Sequence, residues 1–322
     1  MHGNLYFPPS ENGKWEFADL SPKWDTARLD EIINYVGQHH TRQFLILSYG
    51  RIVKEAYWDS TPESTYDVFS LQKSLVSILV GIAQEKGLID IHNPVSAYLG
   101  AGWTQVSPDE EIQITIRHLL SMNSGLDETL KRETDPESVW FYNTPAYHYL
   151  KKVIASAACS DLQEAAEKWL TRPINMSDTT WVPRENWVFP DGTPIVALQT
   201  NARDLGRFGL LMLANGRWKN EAVIKDQSYL SAALKSSQQL NTAYGYLWWL
   251  NGKKAFQTAI SRTISPGAYF PTAPADLIAG LGFNDQKLFL VPSQELVIVR
   301  LGRPTENSEF QDRLWSLLTD AC

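Results

Sequence analysis

The segment FSLQKSLVSILVGIA, residues 69–83, combines a strongly apolar face with a row of polar side chains. Its leucines and isoleucines recur at helical spacing, which predicts a helix with one face in a hydrophobic core. The other face carries four polar side chains at the i, i+3, i+4 and i+7 positions, namely Ser70, Lys73, Ser74 and Ser77. Charged side chains are almost never fully buried unless they are paired, so a lysine on so apolar a helix needs a reason.

Lys73 has two interpretations. In the first, Ser70 is a nucleophile and Lys73, one helical turn later, activates it. In the second, the helix belongs to the core and the lysine extends outward to reach solvent. Composition alone predicts about one Ser-x-x-Lys in a chain of this length. The tetrapeptide alone therefore does not distinguish the two interpretations of Lys73. The motifs in the rest of the chain are needed for that.

Bulk composition predicts a soluble globular protein. The 322 residues, 43% hydrophobic and 20% charged, suit one large domain or two interleaved ones. The net charge of −7 and the lack of a basic run argue against a nucleic-acid partner. No apolar run is long enough for a membrane span. Most of the 12 Trp, 13 Tyr and 12 Phe are expected in the core, and an aromatic-lined cleft is compatible with their number.

Cysteine and histidine give no sign of a metal or cofactor site. Cys159 lies in an apolar helical context and Cys322 is the last residue, so we expect neither a disulfide nor a cysteine-based metal site. We interpret His118 and His148 as structural, because there is no His-Glu-x-x-His and no cluster of such side chains. The N-terminus lacks a basic segment followed by an apolar core, which favours a cytoplasmic protein, or a periplasmic one whose leader has been removed.

Strands are predicted near both ends of the chain and helices in the middle. The predicted strands lie in a hairpin at 44–57 and at 244–250, 275–282, 287–291 and 296–301. The predicted helices include 24–38, 70–87, 116–120, 147–158, 161–169, a helix capped by Thr200 or Asn201, and 309–319. This layout predicts an α+β fold, with an antiparallel sheet built from both termini, flanking terminal helices and a mainly helical insertion.

The predicted domain organisation follows from that layout. We expect residues 1–322 to form a single catalytic unit. Within it, 24–70 and 240–322 form the sheet region, and 71–239 form the mainly helical region.

Several motifs occur in a characteristic order. Ser-Leu-Gln-Lys at 70–73 is followed by ITIRHLLSMNSGL (114–126), FYNT (141–144), ARDLGRFG (202–209), YGYLWW (244–249) and GLGFNDQ (280–286). Together these resemble the β-lactamase-related serine hydrolases, which include class C β-lactamases, DD-peptidases, class C-like esterases and 6-aminohexanoate-dimer hydrolases. The resemblance implies a β-lactamase/penicillin-binding-protein-like fold. A Gly-x-Ser-x-Gly elbow is absent, which gives an α/β-hydrolase little support.

The resemblance implies a role for each motif. Ser70 would be acylated, and Lys73 would hold its hydroxyl as partner base. Tyr142 would act as base in acylation and as acid toward the leaving group. Groups this close titrate as a pair, so the sequence leaves open which of Lys73 and Tyr142 holds the proton. Thr144 occupies the third position of the family's Tyr-x-Asn motif and is a candidate substrate-binding residue, with a helix cap as the alternative.

The segment Gly280-Leu281-Gly282 takes the place of the family's Lys-Thr-Gly strand, and only its last glycine matches. We expect these three residues to line the substrate site. The missing lysine normally helps bind the carboxylate of β-lactams and of peptidoglycan stem peptides. Its absence disfavours β-lactamase and DD-peptidase activity and favours an esterase or amidase. The sequence leaves open whether Gln286 pins this strand or hydrogen-bonds at a sheet edge.

The oxyanion hole is expected to consist of two backbone N–H groups. Ser70 begins its helix, so its N–H has no acceptor within the helix. The second donor is expected just after Gly282, at Phe283. Trp248 is a candidate wall of the acyl pocket, although Trp248 and Trp249 would point to opposite faces of a strand and core packing is an alternative for both.

The sequence therefore predicts a serine hydrolase that forms an acyl-enzyme on Ser70 and cleaves a carboxylic ester or an amide, without a cofactor. One alternative is a β-lactamase or DD-peptidase acting on β-lactams or D-amino-acid peptides. Another is a penicillin-binding sensor that keeps the fold without turnover. The oligomeric state is left open.

Overall fold

The computed structural model describes residues 5–9, 14–20 and 23–321. Its α-helices are α1 Thr26–Gln38, α2 Gln72–Glu85, α3 Ser96–Leu99, α4 Pro108–Glu111, α5 Ile116–Ser121, α6 Thr144–Ala158, α7 Leu162–Ala166, α8 Ala202–Leu213, α9 Gln227–Ala233 and α10 Phe310–Ala321. Its strands are β1 Thr41–Ser48, β2 Arg51–Tyr57, β3 Tyr66–Asp67, β4 Thr180–Val188, β5 Pro194–Thr200, β6 Arg217–Trp218, β7 Glu221–Ala222, β8 Trp249–Leu250, β9 Ala255–Thr258, β10 Ser261–Pro266, β11 Ile278–Gly282, β12 Gln286–Val291 and β13 Leu296–Gly302.

The chain forms two compact units. The first contains residues 1–72, 171–223 and 270–322, and the second contains residues 73–170 and 224–269. These boundaries differ from the predicted ones in two places. Residues 171–223 belong with the sheet, although they were expected in the helical region, and 240–269 belong with the helices.

The first unit contains an antiparallel sheet built from both ends of the chain, as predicted. Five of its strands hydrogen-bond in the order β2-β1-β13-β12-β11. Every residue of β12 and β13 is buried, so both faces of these strands are covered. Phe289 packs edge-on against Trp315 of α10 at 5.4 Å, whereas its neighbours along β12 face α8. Because successive strand residues point to opposite faces, α8 and α10 cover opposite faces of the sheet.

The same unit holds a smaller sheet in the order β3-β5-β4. The sequence pattern did not reveal β4 and β5. Pro183 interrupts β4, and the pairing register slips between Pro183 and Val188, which hides the alternation by which a strand is recognised. Strand β3 ends at Asp67, three residues before Ser70, and pairs with β5. The sheet thus places part of the segment 171–223 beside the residues that lead to the nucleophile candidate.

The second unit is built around α2. Every residue from Leu71 to Ala83 is buried, so α2 has no solvent-facing side over this length. Tyr229 of α9 closes one side of α2: its hydroxyl donates to the carbonyl of Ser77 at 2.7 Å, and its ring lies against the backbone of Gly81.

Two predicted elements of the second unit are shorter than expected. The predicted strand at 244–250 is a strand only at β8, because Leu247 adopts a left-handed conformation and Gly245 N–H donates to the carbonyl of Trp248, which closes a tight turn. The predicted helix at 161–169 is α7 followed by a π-helical segment, Glu167–Thr171. The second unit also contains the β9–β10 hairpin, which was not predicted.

No helix among the described residues is long and apolar enough to cross a membrane. Cys159 is exposed and not in a disulfide, and Cys322 lies outside the described residues.

Candidate active site

Ser70 lies in a 3₁₀ turn, Phe69–Leu71, that runs directly into α2. The α-helix proper therefore begins at Gln72, two residues later than the sequence predicted. Phe69 has a φ of 50°, in the left-handed region that side-chain-bearing residues seldom adopt. The Asp67 carboxylate accepts a hydrogen bond from Phe69 N–H at 2.7 Å, and Leu71 N–H donates to the carbonyl of Val68 at 3.1 Å. Ser70 is thus half-buried, and hydrogen bonds hold the residue before it and the residue after it.

Lys73 is buried, with 2% of its surface exposed. This excludes the interpretation in which the lysine extends to solvent. Its Nζ donates to Thr144 Oγ1 at 3.2 Å. The same nitrogen lies 4.8 Å from the ring centre of Tyr142 and 4.4 Å from that of Tyr147, so two aromatic faces stabilise the ammonium.

Tyr142 immediately precedes the N-terminus of α6, and this cap fixes it. The Asn143 side chain accepts from Ala146 N–H at 2.9 Å, while its Nδ2 donates to the carbonyls of Leu126 and Asp127 at 2.9 and 2.8 Å. Asparagine is among the preferred capping residues because its oxygen satisfies an N–H that has no partner within the helix. The middle residue of the Tyr142–Thr144 motif therefore orients its two neighbours.

An aromatic wall stands beside Tyr142. The ring of Trp249 stacks on it at 5.7 Å with an interplanar angle of 22°. Trp248, the predicted pocket residue, is completely buried, and Trp249 is buried with 3% of its surface exposed. Trp249 therefore joins Trp248 as a candidate wall residue.

Tyr147 is a further neighbour of Lys73 that was not predicted as a site residue. It is fully buried, yet its ring contacts the Lys73 ammonium. A helical signal was available, because residues three apart share a face of a helix and Tyr147 follows Thr144 by three positions. A second buried lysine, Lys151, lies 5.3 Å from the same ring.

Gly282 ends β11 against the turn that carries Ser70. A Cβ at this position would lie 2.2 Å from the carbonyl oxygen of Val68 and 3.2 Å from Leu71 N, so only glycine permits this approach. Gly280 is buried and provides no cation, and Leu281 is half-buried opposite Lys287 in the sheet register.

Phe283 follows Gly282 and is 71% exposed. Its ring meets the ring of Phe69 edge-on at 5.6 Å. In the first unit, the structure thus brings together the turn of Ser70, Gly282 and Phe283. In the second unit it brings together Lys73, Tyr142 and Thr144.

A buried polar cluster supports the turn after Phe283. Lys287 donates to Asp285 at 2.8 Å, and Arg300 donates to the carbonyl of Asp285 at 2.9 Å. Burial lowers the pKa of Arg300 to about 10. Gln286 bonds Gly302 of β13 in both directions, at 2.8 and 3.0 Å. Its side chain therefore pins β12 to β13 inside the sheet.

His118 belongs to a helix cap. Its Nδ1 accepts from Thr115 N–H at 3.1 Å, and burial lowers its pKa. His148 is buried in α6. Over the described residues there is no group of three or more His, Cys, Asp or Glu that could hold a metal ion.

Comparison with known proteins gives a family match and several structural relatives. A family model described as Beta-lactamase matches residues 34–318. An uncharacterized protein from Alkalihalophilus pseudofirmus is 24% identical, with 79% of this chain and 81% of that protein covered.

Two solved structures each superpose with a TM-score of 0.72. One, from Bacteroides dorei and provisionally described as a β-lactamase, is 15% identical and covers 92% of this chain and 99% of its own. The other, from Bacillus anthracis and provisionally described as a 6-aminohexanoate-dimer hydrolase, is 17% identical and covers 98% of this chain and 89% of its own. At these identities the likeness shows the fold.

Proposed function

Because the chain belongs to the β-lactamase family, we propose that it is a serine hydrolase that forms an acyl-enzyme on Ser70. The observation that carries the proposal is the burial of the Lys73 side chain, three residues after that serine. Burying a charge is costly unless it is paired or hydrogen-bonded. The hydrogen bond to Thr144 and the two tyrosine faces offset that cost. A helix with only a packing role would have no need of a buried lysine.

In the proposed acylation, Ser70 Oγ attacks the carbonyl carbon of the substrate and a C–O bond forms. The hydroxyl proton passes to the pair formed by Lys73 and Tyr142. The carbonyl electron pair moves to the oxygen, where the backbone N–H groups of Ser70 and Phe283 stabilise the negative charge.

The carbonyl then reforms, the bond to the leaving oxygen or nitrogen breaks, and Tyr142 returns a proton to the leaving group. Water attacks the acyl-enzyme in the same manner and gives up its proton to the same pair. The bond to Ser70 Oγ breaks, and that oxygen takes a proton back. The products are a carboxylic acid and an alcohol or amine, and the enzyme returns to its starting state.

We infer that the substrate is an ester or an amide with a small or aromatic acyl group. Gly280 offers no cation for the carboxylate of a β-lactam or a peptidoglycan stem peptide. The exposed ring of Phe283, next to the proposed oxyanion donor, favours apolar acyl groups. The relative described as a 6-aminohexanoate-dimer hydrolase suggests that amides deserve testing alongside esters.

The test is hydrolysis of a short-chain nitrophenyl ester by the wild type and by Ser70→Ala. We expect kcat/KM to fall by about 10⁴-fold or more, as for the loss of a serine nucleophile. Ser77→Ala is the matched control, since it removes a buried hydroxyl from the same helix. Equal rates for wild type and Ser70→Ala would contradict the mechanism.

The same proteins separate the alternatives. Efficient turnover of a cephalosporin by the wild type would favour a β-lactamase and overturn the argument from Gly280. A stable penicillin or fluorophosphonate adduct on Ser70, without turnover of any ester or amide, would favour a sensor.

A further inference from the structure

Arg184, which has no role in the proposed mechanism, forms an ion pair with Asp67, three residues before Ser70. Arg184 of β4 donates from Nε and Nη2 to the two carboxylate oxygens of Asp67, at 2.8 Å each. The side chains of Arg184 and Asp67 are 18% and 24% exposed. Two parallel bonds of this kind fix orientation as well as distance, because the guanidinium and the carboxylate are both planar.

Asp67 passes this constraint to the nucleophile turn. The same carboxylate accepts the N–H of Phe69, whose left-handed conformation is rare for a large side chain. Such a conformation persists only where its surroundings hold it, and these positions cluster at functional sites. Ser70 is the next residue, so the direction of its N–H and Oγ depends on how Phe69 is held.

Arg184 also constrains Phe69 through its ring. The guanidinium carbon lies 5.0 Å from the ring centre of Phe69 and 5.0 Å from that of Trp187. On the side of β11, the Phe69 ring meets that of Phe283. Trp187, Arg184, Phe69 and Phe283 therefore form one continuous series of contacts within the first unit.

That series joins the two proposed oxyanion donors. One donor is the N–H of Ser70, next to Phe69 in the chain, and the other is the N–H of Phe283. A shift of the Phe69 ring would change the spacing between these two groups. Oxyanion stabilisation depends on donors already held at the correct distance, so that spacing bears directly on rate.

We propose that Arg184 and Asp67 are positioning residues, which hold Phe69 so that the N–H groups of Ser70 and Phe283 converge on the substrate oxygen. The proposal rests on the proposed acyl-enzyme mechanism. Neither residue is assigned a contact with substrate, and both act through Phe69.

A second ion pair in the same unit provides a matched control. Arg203 donates from Nε and Nη2 to Glu55 at 3.0 and 2.6 Å, with the same two-point geometry. That pair joins α8 to β2 and makes no described contact with the turn at 69–71. Loss of either ion pair costs stability, but only loss of the first should affect the chemistry of Ser70.

The experiment measures the rate of Ser70 modification by a fluorophosphonate, by intact-protein mass spectrometry, together with single-turnover acylation by a nitrophenyl ester. For Arg184→Met we expect acylation to slow by about 10- to 100-fold with KM changed by less than about threefold, since misplacement without loss of a catalytic group has effects of this size. Arg203→Met should acylate at the wild-type rate.

Substitutions of Asp67 test the route through Phe69. Asp67→Asn keeps an oxygen that can accept the Phe69 N–H but loses the charge that pairs with Arg184. We expect it to acylate more slowly than wild type and faster than Asp67→Ala. Near-ultraviolet circular dichroism establishes that each variant is folded, and if Arg184→Met fails to fold, Asp67→Asn decides the proposal.

The possible outcomes separate the two proposals. If the wild-type Ser70 does not react with the fluorophosphonate, the hydrolase proposal fails and the positioning proposal fails with it. If the wild type reacts and a folded Arg184→Met or Asp67→Asn reacts at the same rate, only the positioning proposal is overturned. A rise in KM with unchanged acylation would instead make Arg184 a substrate-binding residue and would also overturn it.

Discussion

Lys73 is buried and makes a hydrogen bond to a residue of the Tyr142–Thr144 motif. Its ammonium donates to the hydroxyl of Thr144, in the motif position where the resembling family carries an asparagine. A hydroxyl is shorter than a carboxamide, yet α6 begins at this residue and brings the oxygen to 3.2 Å. The threonine hydroxyl can accept from Lys73 as a carboxamide oxygen could, but it lacks the two amide donors that an asparagine would add.

Removal of that acceptor should impair catalysis. Thr144→Val keeps the shape of the side chain but leaves a buried ammonium without its hydroxyl partner. Hydrogen bonds to charged groups are worth about 1.5–3 kcal/mol, so we expect kcat for ester hydrolysis to fall by about 10- to 100-fold. Thr144→Ser retains the hydroxyl and should stay within about threefold of wild type. Equal kcat values for the valine and serine variants would show that this contact has no catalytic role.

Site residues differ in how visible they were in the sequence. Ser70, Lys73 and Tyr142 were predicted because they stand in motifs with characteristic neighbours, and their catalytic roles stay predictions. Arg184 gave no signal, since it acts on Asp67 across 117 positions of sequence. Trp249 was not predicted as a site residue, because its stacking on Tyr142 follows from a tight turn rather than from strand alternation.

At the level of elements, α8 lies unusually close to the sheet because two of its residues lack side chains. A Cβ on Gly206 would lie 2.8 Å from Leu45 Cδ2, and one on Gly209 would lie 2.5 Å from Val297 Cγ1. These glycines are three residues apart and so share the face toward the sheet. The cost of glycine in a helix is about 1 kcal/mol each, and close packing on β1 and β13 offsets it.

Gly209→Ala should therefore destabilise the protein even though alanine is the better helix former. Overpacking a close contact typically costs about 1–3 kcal/mol, which exceeds the gain in helix propensity. Urea unfolding measures the change. Combining the substitution with Val297→Ala removes the methyl group that the new Cβ would meet, so the double variant should lose less than the sum of the two single variants. Strict additivity would argue against this contact.

Elements with local signals were predicted well. The β1–β2 hairpin, the β12–β13 hairpin, α1 and α10 follow from alternation or helical periodicity within short windows, and Asn201 caps α8 as one of the two predicted candidates. Elements stabilised by distant partners were not. β4 contains a proline and an irregular register, and its pairing with β5 is not visible in its own pattern.

At the level of the whole molecule, a buried carboxyl group links stability to pH. Burial raises the pKa of Asp204 to about 7. The hydrogen bonds that its carboxylate accepts from Thr179 Oγ1 at 2.7 Å and from Asp178 N–H at 3.0 Å lower the pKa, but by less. The charged neighbours Asp178 and Arg207 act in opposite directions on this pKa. The folded state therefore keeps a proton on Asp204 at pH values where the unfolded chain, at an ordinary 3.8, has released it.

The free energy of unfolding should consequently fall as pH rises from about 4 to about 7, because in this range the folded state binds more protons than the unfolded state. Above about pH 7, Asp204 should cause no further change. Each unit of pKa difference corresponds to about 1.4 kcal/mol. Asp204→Asn cannot titrate, so its urea-unfolding free energy should depend less on pH across this interval than that of the wild type. Parallel curves for the two proteins would refute the assignment.

The pairing of β1 with β13 has a consequence for how the protein is made. Arg300 donates to Thr41 across 259 positions, and the sheet cannot close until both strands have been synthesised. At about 5–20 residues per second, β1 waits on the order of ten seconds to a minute for its partner on the ribosome. During that time the edge of β1 that will pair with β13 has no partner, while its other edge can already pair with β2. An unpaired strand edge invites aggregation. A nascent chain of this kind should depend on chaperones that shield an early strand, and it should acquire a reactive Ser70 only late in synthesis.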